Sequence, residues 1–163
     1  MQSVVVTVWI LALVAANLIV GHFGPVASIP CAFLFIGLDL TLRDKIHDRW
    51  AARGMLWVRM LAMIGAAGII TWFISRSAGR IAVASAIALV VSQLADTAVY
   101  QAGRKWPRIR RVMGSNATGA VVDSFVFPTI AFGGFIWWAT LGQIVAKVLG
   151  GLAWYPVLFG RKT

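Results

Sequence analysis

Glutamate is absent from this chain, and charged residues of any kind are few. The 163 residues contain five acidic side chains, all of them Asp, and charged residues make up 12% of the total. Soluble domains carry about 25% charged residues, so an ordinary soluble domain is excluded. Hydrophobic residues make up 60% of the chain and the mean hydropathy is +0.85, which indicates an integral membrane protein.

Cysteine and histidine are almost absent as well. The single cysteine, Cys31, excludes an internal disulfide and lies in an apolar run, where we expect it to pack as a small hydrophobic residue. The two histidines, His22 and His47, are too few for a metal cluster or a histidine-based triad. Because the chain also has no glycine-rich phosphate loop, the sequence predicts a protein that is not an enzyme and needs no cofactor.

Basic residues outnumber acidic ones, with 15 Lys and Arg and a net charge of +10. Two explanations are open: cytoplasmic loops of membrane proteins are rich in Lys and Arg, and nucleic-acid-binding proteins carry basic patches. The basic residues lie in short segments between apolar stretches, which favours the first explanation. We therefore expect the lipid bilayer as a partner and no direct contact with nucleic acid.

Six apolar stretches are long enough to cross a bilayer, which needs about 20 residues per helix. The sequence predicts an all-α membrane protein with one domain over residues 1–163 and six transmembrane helices. The predicted spans are residues 4–20, 26–42, 55–74, 81–100, 114–131 and 143–159. Residues 133–142 contain Trp137 and Trp138 and no charge, which is typical of an interfacial turn.

The distribution of basic residues between the spans predicts the orientation. Eleven Lys and Arg fall in the second, fourth and last segments outside the spans, whereas the opposite side has only Arg76 and Arg80. The excess marks the cytoplasmic side. We therefore expect both termini in the cytoplasm and a multi-pass protein of the cell's inner membrane.

The fifth span, GSNATGAVVDSFVFPTIA, is apolar but carries a polar stripe. Asn116, Gly119 or Ala120, and Asp123 are spaced so that they share one face of a helix. A carboxylate near the middle of a membrane helix costs about 2.5–3.5 kcal/mol on insertion scales. Such a group is expected to have a function or a partner.

Other intramembrane polar groups lie on neighbouring spans. Gln93, Asp96 and Tyr100 share one face of span four. Asp39 lies near the end of span two, where it either pairs with Arg43 at the membrane edge or stands at the mouth of a pathway. The predicted spans place Asp39, Asp96 and Asp123 in the cytoplasmic half of the membrane and Lys147 in the outer half.

Two interpretations of these groups remain open. Asp123 or Asp96 pairs with Lys147 and holds the bundle together, or the groups line a substrate site. The spans contain three carboxylates and only one Lys that could pair with them. Carboxylates without a basic partner favour a ligand that is cationic or rich in hydrogen-bond donors. For Asn17 in span one, an interhelical hydrogen bond is favoured over contact with a ligand.

Several motifs together resemble the queuosine-precursor transporter family, once described as putative vitamin uptake transporters. They are GLDLTLRD, RIAVASAIALVVSQLADTAVY, GSNATGAVVDSFVFPTIAFG and AKVLGGLAWYPV, and they cover most of the chain from span two onward. The strongest matches are at Asp39 to Arg43, at Gln93 and Asp96, at the Asn and Asp of span five, and at Lys147. The chain is shorter than typical members, and it lacks the Glu that many of them carry after the Asp of span two.

The resemblance implies import of a 7-deazaguanine precursor of queuosine, the modified base of certain tRNAs. A carboxylate can accept the adjacent ring N–H and exocyclic amine of a deazaguanine, Gln and Asn can read its remaining edge, and Tyr100 or Phe127 can stack on the ring. The candidate substrate-binding residues are Asp123, Asp96, Asn116, Gln93, Asp39, Lys147 and Tyr100. The alternatives are a transporter of another small solute, such as a vitamin or a purine-like base, and a non-transporting membrane scaffold; a homodimer stays open.

Overall fold

The described part of the chain folds into six helices. The structure is a computed structural model that describes residues 2–39 and 56–159, and these residues contain no β-strand. The helices are α1 (Gln2–Phe23), α2 (Pro25–Asp39), α3 (Leu56–Ile74), α4 (Gly79–Ala102), α5 (Arg108–Phe132) and α6 (Trp137–Phe159). The predicted all-α class is confirmed. The end of span two, Arg43, His47, the basic residues of 40–55 and those after Phe159 lie outside the described residues.

Two helices begin six residues before the predicted spans. α5 begins at Arg108 rather than at residue 114, because a helix can continue past its apolar run while its basic side chains reach the solvent. α6 begins at Trp137 rather than at residue 143, so the predicted interfacial turn over residues 133–142 is wrong. Only residues 133–136 connect the two helices. Gly133 ends α5 in the left-handed conformation, with φ of 78°, which glycine adopts without strain.

Two segments are long and apolar enough to cross a membrane by length and composition. They are Val4–Phe23, with 20 residues and a mean hydropathy of 2.5, and Arg76–Lys105, with 30 residues and a mean hydropathy of 1.7. Pro25–Asp39 and Leu61–Ile74 are shorter apolar helices. Large apolar side chains such as Phe73, Val26 and Val157 are exposed on the outer surface. Soluble proteins rarely expose extended surfaces of this kind, so the outer surface is consistent with contact to lipid.

α1 and α3 pack side by side in the same direction. Trp9 and Leu13 of α1 form a buried cluster with Met63 and Ala67 of α3. One turn further along, the Asn17 Nδ2 donates a hydrogen bond of 3.4 Å to the Thr71 hydroxyl. The predicted interhelical hydrogen bond of Asn17 is therefore present.

α2 and α6 also run in the same direction, and glycines bring their backbones close together. A Cβ on Gly37 would lie 2.7 Å from the Cα of Gly150, and a Cβ on Gly150 would overlap the Phe33 carbonyl oxygen. The Trp154 indole N–H donates to the Leu34 carbonyl oxygen over 3.0 Å. Such small-residue contacts are typical of helix packing in membranes.

α2 is irregular where it approaches α6. Pro30 lies inside the helix, and residues Ala32–Ile36 form a π-helical turn. Proline removes one backbone hydrogen bond, and π-turns widen a helix locally, often near functional sites. The wall that α2 presents to the bundle is therefore less regular than that of its neighbours.

α4 and α5 form an antiparallel hairpin with extensive contact. At one end, the Arg80 Nε donates to the Ile130 carbonyl oxygen over 3.3 Å. About midway along α5, a Cβ on Gly119 would lie 3.5 Å from the Cβ of Asp96. At the other end, the Trp106 ring packs over Gly103, and a short 3₁₀ turn, Gly103–Lys105, connects the helices. This packing aligns the two predicted polar stripes.

Candidate functional site

A cavity lies at the centre of the bundle, between α1, α2, α4, α5 and α6. The volume available to the centre of a water molecule inside the cavity is about 30 Å³. In this conformation the cavity therefore has room for about one or two waters. Six of its thirteen lining residues are polar or charged. The lining residues are Ala16, Asn17, Val20, Ser28, Cys31, Ala32, Ile36, Ser85, Leu89, Asp123, Phe127, Gln143 and Lys147.

Lys147 is the centre of the polar wall. Its side chain is only 1% exposed, and its ammonium group forms an ion pair with the Asp123 Oδ2. The same nitrogen donates to the Ser124 hydroxyl over 2.8 Å and to the Gln143 Oε1 over 3.1 Å. An ammonium group has three N–H donors, so the protein supplies an acceptor for each of them.

Gln143 connects this centre to α2. It lies four residues before Lys147 and therefore on the same face of α6. While its Oε1 accepts from Lys147, its Nε2 donates to the Ser28 hydroxyl over 3.0 Å. Ser28 in turn donates to the Pro25 carbonyl oxygen over 2.5 Å. One chain of hydrogen bonds thus runs from the carboxylate on α5, through α6, to the first turn of α2.

Asp123 lines the cavity and keeps acceptor capacity. Its side chain is 12% exposed, more than that of its partner Lys147. Only Oδ2 contacts the ammonium group, and Oδ1 accepts no hydrogen bond from the part of the chain that the structure describes. A charged carboxylate offers about four lone-pair sites. A ligand in the cavity could therefore donate to Asp123 without displacing Lys147.

The opposite walls combine an amide, a hydroxyl and an aromatic ring. Asn17 on α1 and Ser85 on α4 are buried polar residues of the lining. Phe127 lies on α5, one turn beyond Asp123, so both side chains face the same side of that helix. The arrangement provides hydrogen-bonding groups on two sides and a flat apolar ring next to the carboxylate.

Two of the predicted site residues meet in the cavity, and five do not contribute to its wall. Asp123 and Lys147 line it, whereas Asp96, Gln93, Asn116, Asp39 and Tyr100 are not among the lining residues. Gln93 is buried one turn beyond Leu89 on the same side of α4. Tyr100 lies near the end of α4, where its hydroxyl accepts a hydrogen bond of 2.9 Å from Arg111, whose guanidinium also lies 4.2 Å from the ring centroid.

The predicted depths of Asp123 and Lys147 are wrong. The two residues are in direct contact, so they share one level of the bundle rather than opposite halves. The observed lengths of α5 and α6 explain the difference. Asp123 lies nine residues before the end of α5 and Lys147 ten residues after the start of α6, which places both about 15 Å from the connecting turn.

The position of Asp39 at the membrane edge stays a prediction. Asp39 is the last described residue of α2, and its side chain is 1% exposed. The close approach of Gly37 to Gly150 brings this end of α2 against α6. Its predicted partner Arg43 lies outside the described residues.

The sequence interpretation missed Gln143, Ser28, Ser124 and Ser85 as site residues. Gln143 was assigned to the first residue of a span, at the membrane surface, because Trp137 and Trp138 were assigned to a turn. The spacing of four residues between Gln143 and Lys147 was the available signal for a shared polar face. The serines carried no signal, since small hydroxyl residues are common at interhelical contacts in membranes.

Comparison with known proteins identifies a family. A family model described as "Putative vitamin uptake transporter" matches residues 25–160 of this chain. No curated protein and no solved structure matches it. The matched residues include four of the five helices that line the cavity, from α2 onward.

Proposed function

The chain belongs to the family of putative vitamin uptake transporters, and on this premise we propose that it imports a 7-deazaguanine precursor of queuosine through the central cavity. A transporter family is not an enzyme family, and it implies a membrane location with which the apolar helices are consistent. The observation that carries the proposal is the Asp123–Lys147 pair in the cavity wall, with a carboxylate oxygen still open to a ligand.

The chemistry of Asp123 fits a donor-rich heterocycle. A deazaguanine presents its ring N–H and exocyclic amine side by side, and an ionised carboxylate can accept from such groups. Lys147 holds the Asp123 carboxylate in place through the ion pair. Phe127 provides an aromatic face next to the carboxylate, and such faces stack on bases.

Substrate entry requires the cavity to widen. Its present room suits about one or two waters, whereas a bicyclic base is several times larger. The irregular part of α2 is the wall most suited to move, since Cys31, Ala32 and Ile36 line the cavity at the π-turn. We therefore assign this structure to a closed state in the transport cycle.

We also propose that six helices cross the membrane, with the turn between α4 and α5 in the cytoplasm. Arg104, Lys105 and Arg110 are exposed at that end, and Arg80 lies at the opposite end of the hairpin. Cysteine labelling from outside intact cells tests this orientation. Labelling at Gly134, and no labelling at Lys105, is the expected pattern.

Uptake of labelled 7-deazaguanine by cells unable to synthesise it tests the function. Cells that express the protein are expected to take up the base and to regain the modified tRNA. The Asp123→Asn variant is expected to lose apparent affinity. Thr129→Val is a matched control on the exposed side of α5, because the Thr129 hydroxyl only contacts the Phe125 carbonyl oxygen. Preferential uptake of a vitamin or another purine-like base would show that the substrate is a different solute, and the proposed binding site would stay the same.

A scaffold protein without transport is the second candidate, and one observation favours it. The three donors of Lys147 all have protein acceptors, as in a purely structural ion pair. In that case, removing both charges together should leave the protein as stable and functional as before. The proposed transporter should lose uptake under the same change.

A further inference from the structure

The wall of the central cavity contains one acidic and one basic side chain, and the two form an ion pair with each other. We propose that the cavity accepts solutes without net charge, and that Lys147 is the residue that excludes positively charged ones. The inference rests on the proposed function, because it names the class of solute that the same cavity takes. An uncharged heterocycle belongs to that class, and a vitamin or base with an ammonium or carboxylate group does not.

The charged groups of the wall come from two helices. Asp123 on α5 and Lys147 on α6 are the only Asp, Glu, Lys, Arg or His residues among the described residues that line the cavity. The polar side chains that α1, α2 and α4 contribute are an amide, two hydroxyls and a thiol, from Asn17, Ser28, Ser85 and Cys31. The one negative and the one positive charge of this wall therefore cancel.

The ammonium group of Lys147 is fixed in the wall. Its side chain is 1% exposed, and its nitrogen donates to Asp123, Ser124 and Gln143. Lysines near the ends of membrane helices extend toward water, but Lys147 lies ten residues after the start of α6. That separation is about 15 Å along the helix axis, which is beyond the reach of a lysine side chain. The positive charge therefore remains beside a solute that enters the cavity.

A positively charged solute finds no carboxylate that is free to neutralise it. Asp123 already pairs with Lys147 through Oδ2. A cation at the other carboxylate oxygen would give two positive charges for one negative charge inside a buried site. Such an arrangement is strongly unfavourable, because the desolvated charge stays uncompensated. The ring N–H and exocyclic amine of a deazaguanine carry no charge, so they can donate to the same oxygen without this penalty.

A negatively charged solute meets the opposite difficulty. The three N–H donors of Lys147 already have protein acceptors, so an anion would have to displace Asp123 or lie beside its negative charge. The remaining polar groups near the cavity, such as Asn17 and Ser85, are uncharged. They can form hydrogen bonds with a solute but cannot neutralise an anion. The described wall therefore favours a neutral solute over ions of either sign.

The position of the other carboxylates decides between the two ligand types that the sequence left open. Three carboxylates in the predicted spans favour a ligand that is cationic or rich in hydrogen-bond donors. Asp39 and Asp96 are not among the residues that line the cavity. The carboxylates in excess of Lys147 are therefore not available to a solute there. The uncharged, donor-rich ligand is the type that fits.

Two probes of nearly equal size test the role of charge. 7-Hydroxymethyl-7-deazaguanine is uncharged, whereas 7-aminomethyl-7-deazaguanine carries an ammonium group at neutral pH. Each competes with labelled 7-deazaguanine for uptake into vesicles that contain the wild-type protein. The hydroxymethyl base is expected to inhibit uptake. The aminomethyl base is expected to need a concentration at least about tenfold higher for the same inhibition, which corresponds to a difference of about 1.4 kcal/mol in binding free energy.

The Lys147→Met variant is expected to reverse this preference. Met is uncharged and similar in volume, so the acceptors that surround the Lys147 nitrogen become available to the ammonium group of the solute. The aminomethyl base should then inhibit at a concentration at least about tenfold lower than the hydroxymethyl base. It should also raise the melting temperature of this variant in detergent, and not that of the wild type.

Thr140→Val is the matched control on α6. The Thr140 hydroxyl is buried without a partner among the described residues, and Thr140 does not line the cavity. The substitution removes a buried polar group from the same helix and leaves the charges of the wall unchanged. The variant should keep the wild-type preference for the uncharged probe.

Equal inhibition of the wild type by the two probes would overturn the inference. Failure of both probes to inhibit would also overturn it, because size rather than charge would then determine selection. A folded Lys147→Met protein that still prefers the hydroxymethyl base would contradict the role of Lys147, and if this variant does not fold, the wild-type competition decides alone. No uptake of labelled 7-deazaguanine by the wild type would overturn the proposed function itself.

Discussion

Asp123 and Asp96 are chemically identical residues about one helical turn apart, yet the residues that surround the two carboxylates differ. Asp123 contacts a buried ammonium group that the protein surrounds with three acceptors. Asp96 faces the bare backbone of Gly119 and has a buried oxygen without a partner among the described residues. The comparison shows that the role of an intramembrane carboxylate depends on what the neighbouring helix presents to it.

The difference predicts opposite responses to loss of charge. A buried ion pair is costly to break from one side, because the remaining charge stays buried without compensation. Asp96 is partly exposed, and its buried Oδ1 has no partner among the described residues, so neutralising it should be harmless or favourable for stability. Substitutions at the two sites therefore test whether the two carboxylates have different roles.

The largest effect is expected for Lys147→Met. The substitution keeps the volume of the side chain and leaves Asp123 without its cation, so we expect a loss of about 3–5 kcal/mol in unfolding free energy. Thermal denaturation in detergent measures it. The double variant with Asp123→Asn should recover most of that loss, and Asp96→Asn alone should be within about 0.5 kcal/mol of wild type or more stable. A stable Lys147→Met protein would show that the pair contributes little.

A smaller effect is expected where α2 meets α6. Gly150→Ala places a Cβ against the Phe33 carbonyl oxygen, which is backbone and cannot move aside. Overpacking of this kind costs about 1–3 kcal/mol. Gly151→Ala is the matched control, because a Cβ there has no atom within 4 Å. Equal stability of the two variants would mean that the helices are not in close contact at Gly150. If α2 moves during transport, Gly150→Ala should also slow uptake.

The smallest effect is expected at the end of α4. Tyr100→Phe removes the hydrogen bond from Arg111 and keeps the ring under the guanidinium. A loss of about 0.5–1.5 kcal/mol in unfolding free energy is expected for the hydrogen bond. Uptake should be close to wild type, because Tyr100 does not line the cavity. A strong loss of uptake in a stable Tyr100→Phe protein would bring Tyr100 back into the binding site.

Hydropathy was sufficient to predict the helices that contain the polar stripes. The predicted span 81–100 differs from α4 by two residues at each end. The start of α6 was wrong by six residues, because exposed Trp137 and Trp138 are compatible both with an interfacial turn and with the first turn of a helix. That error placed Gln143 at the membrane surface and hid its contact with Lys147.

The partner of Lys147 could not be chosen from the sequence. Asp96 and Asp123 both lie on polar faces, and the choice depends on how α4 and α6 are rotated around α5. Contacts such as that of Gly119 with Asp96 and that of Gly150 with Phe33 determine these rotations. They join residues far apart in the chain, and a single sequence does not reveal which glycines lie against which backbone.

The most direct test of the proposed role of Asp123 uses the Asp123→Asn/Lys147→Met double variant. Its uptake of labelled 7-deazaguanine is measured together with its folded yield. We propose that Asp123 binds the base and that Lys147 supports it, so the double variant should fold as well as wild type. The Asn side chain would oppose the donors of the base with its own N–H groups, at a cost of about 1–3 kcal/mol. Uptake should therefore show an apparent affinity about ten- to a hundredfold weaker than wild type. Wild-type uptake by the double variant would contradict the account and leave Asp123 as half of a structural pair.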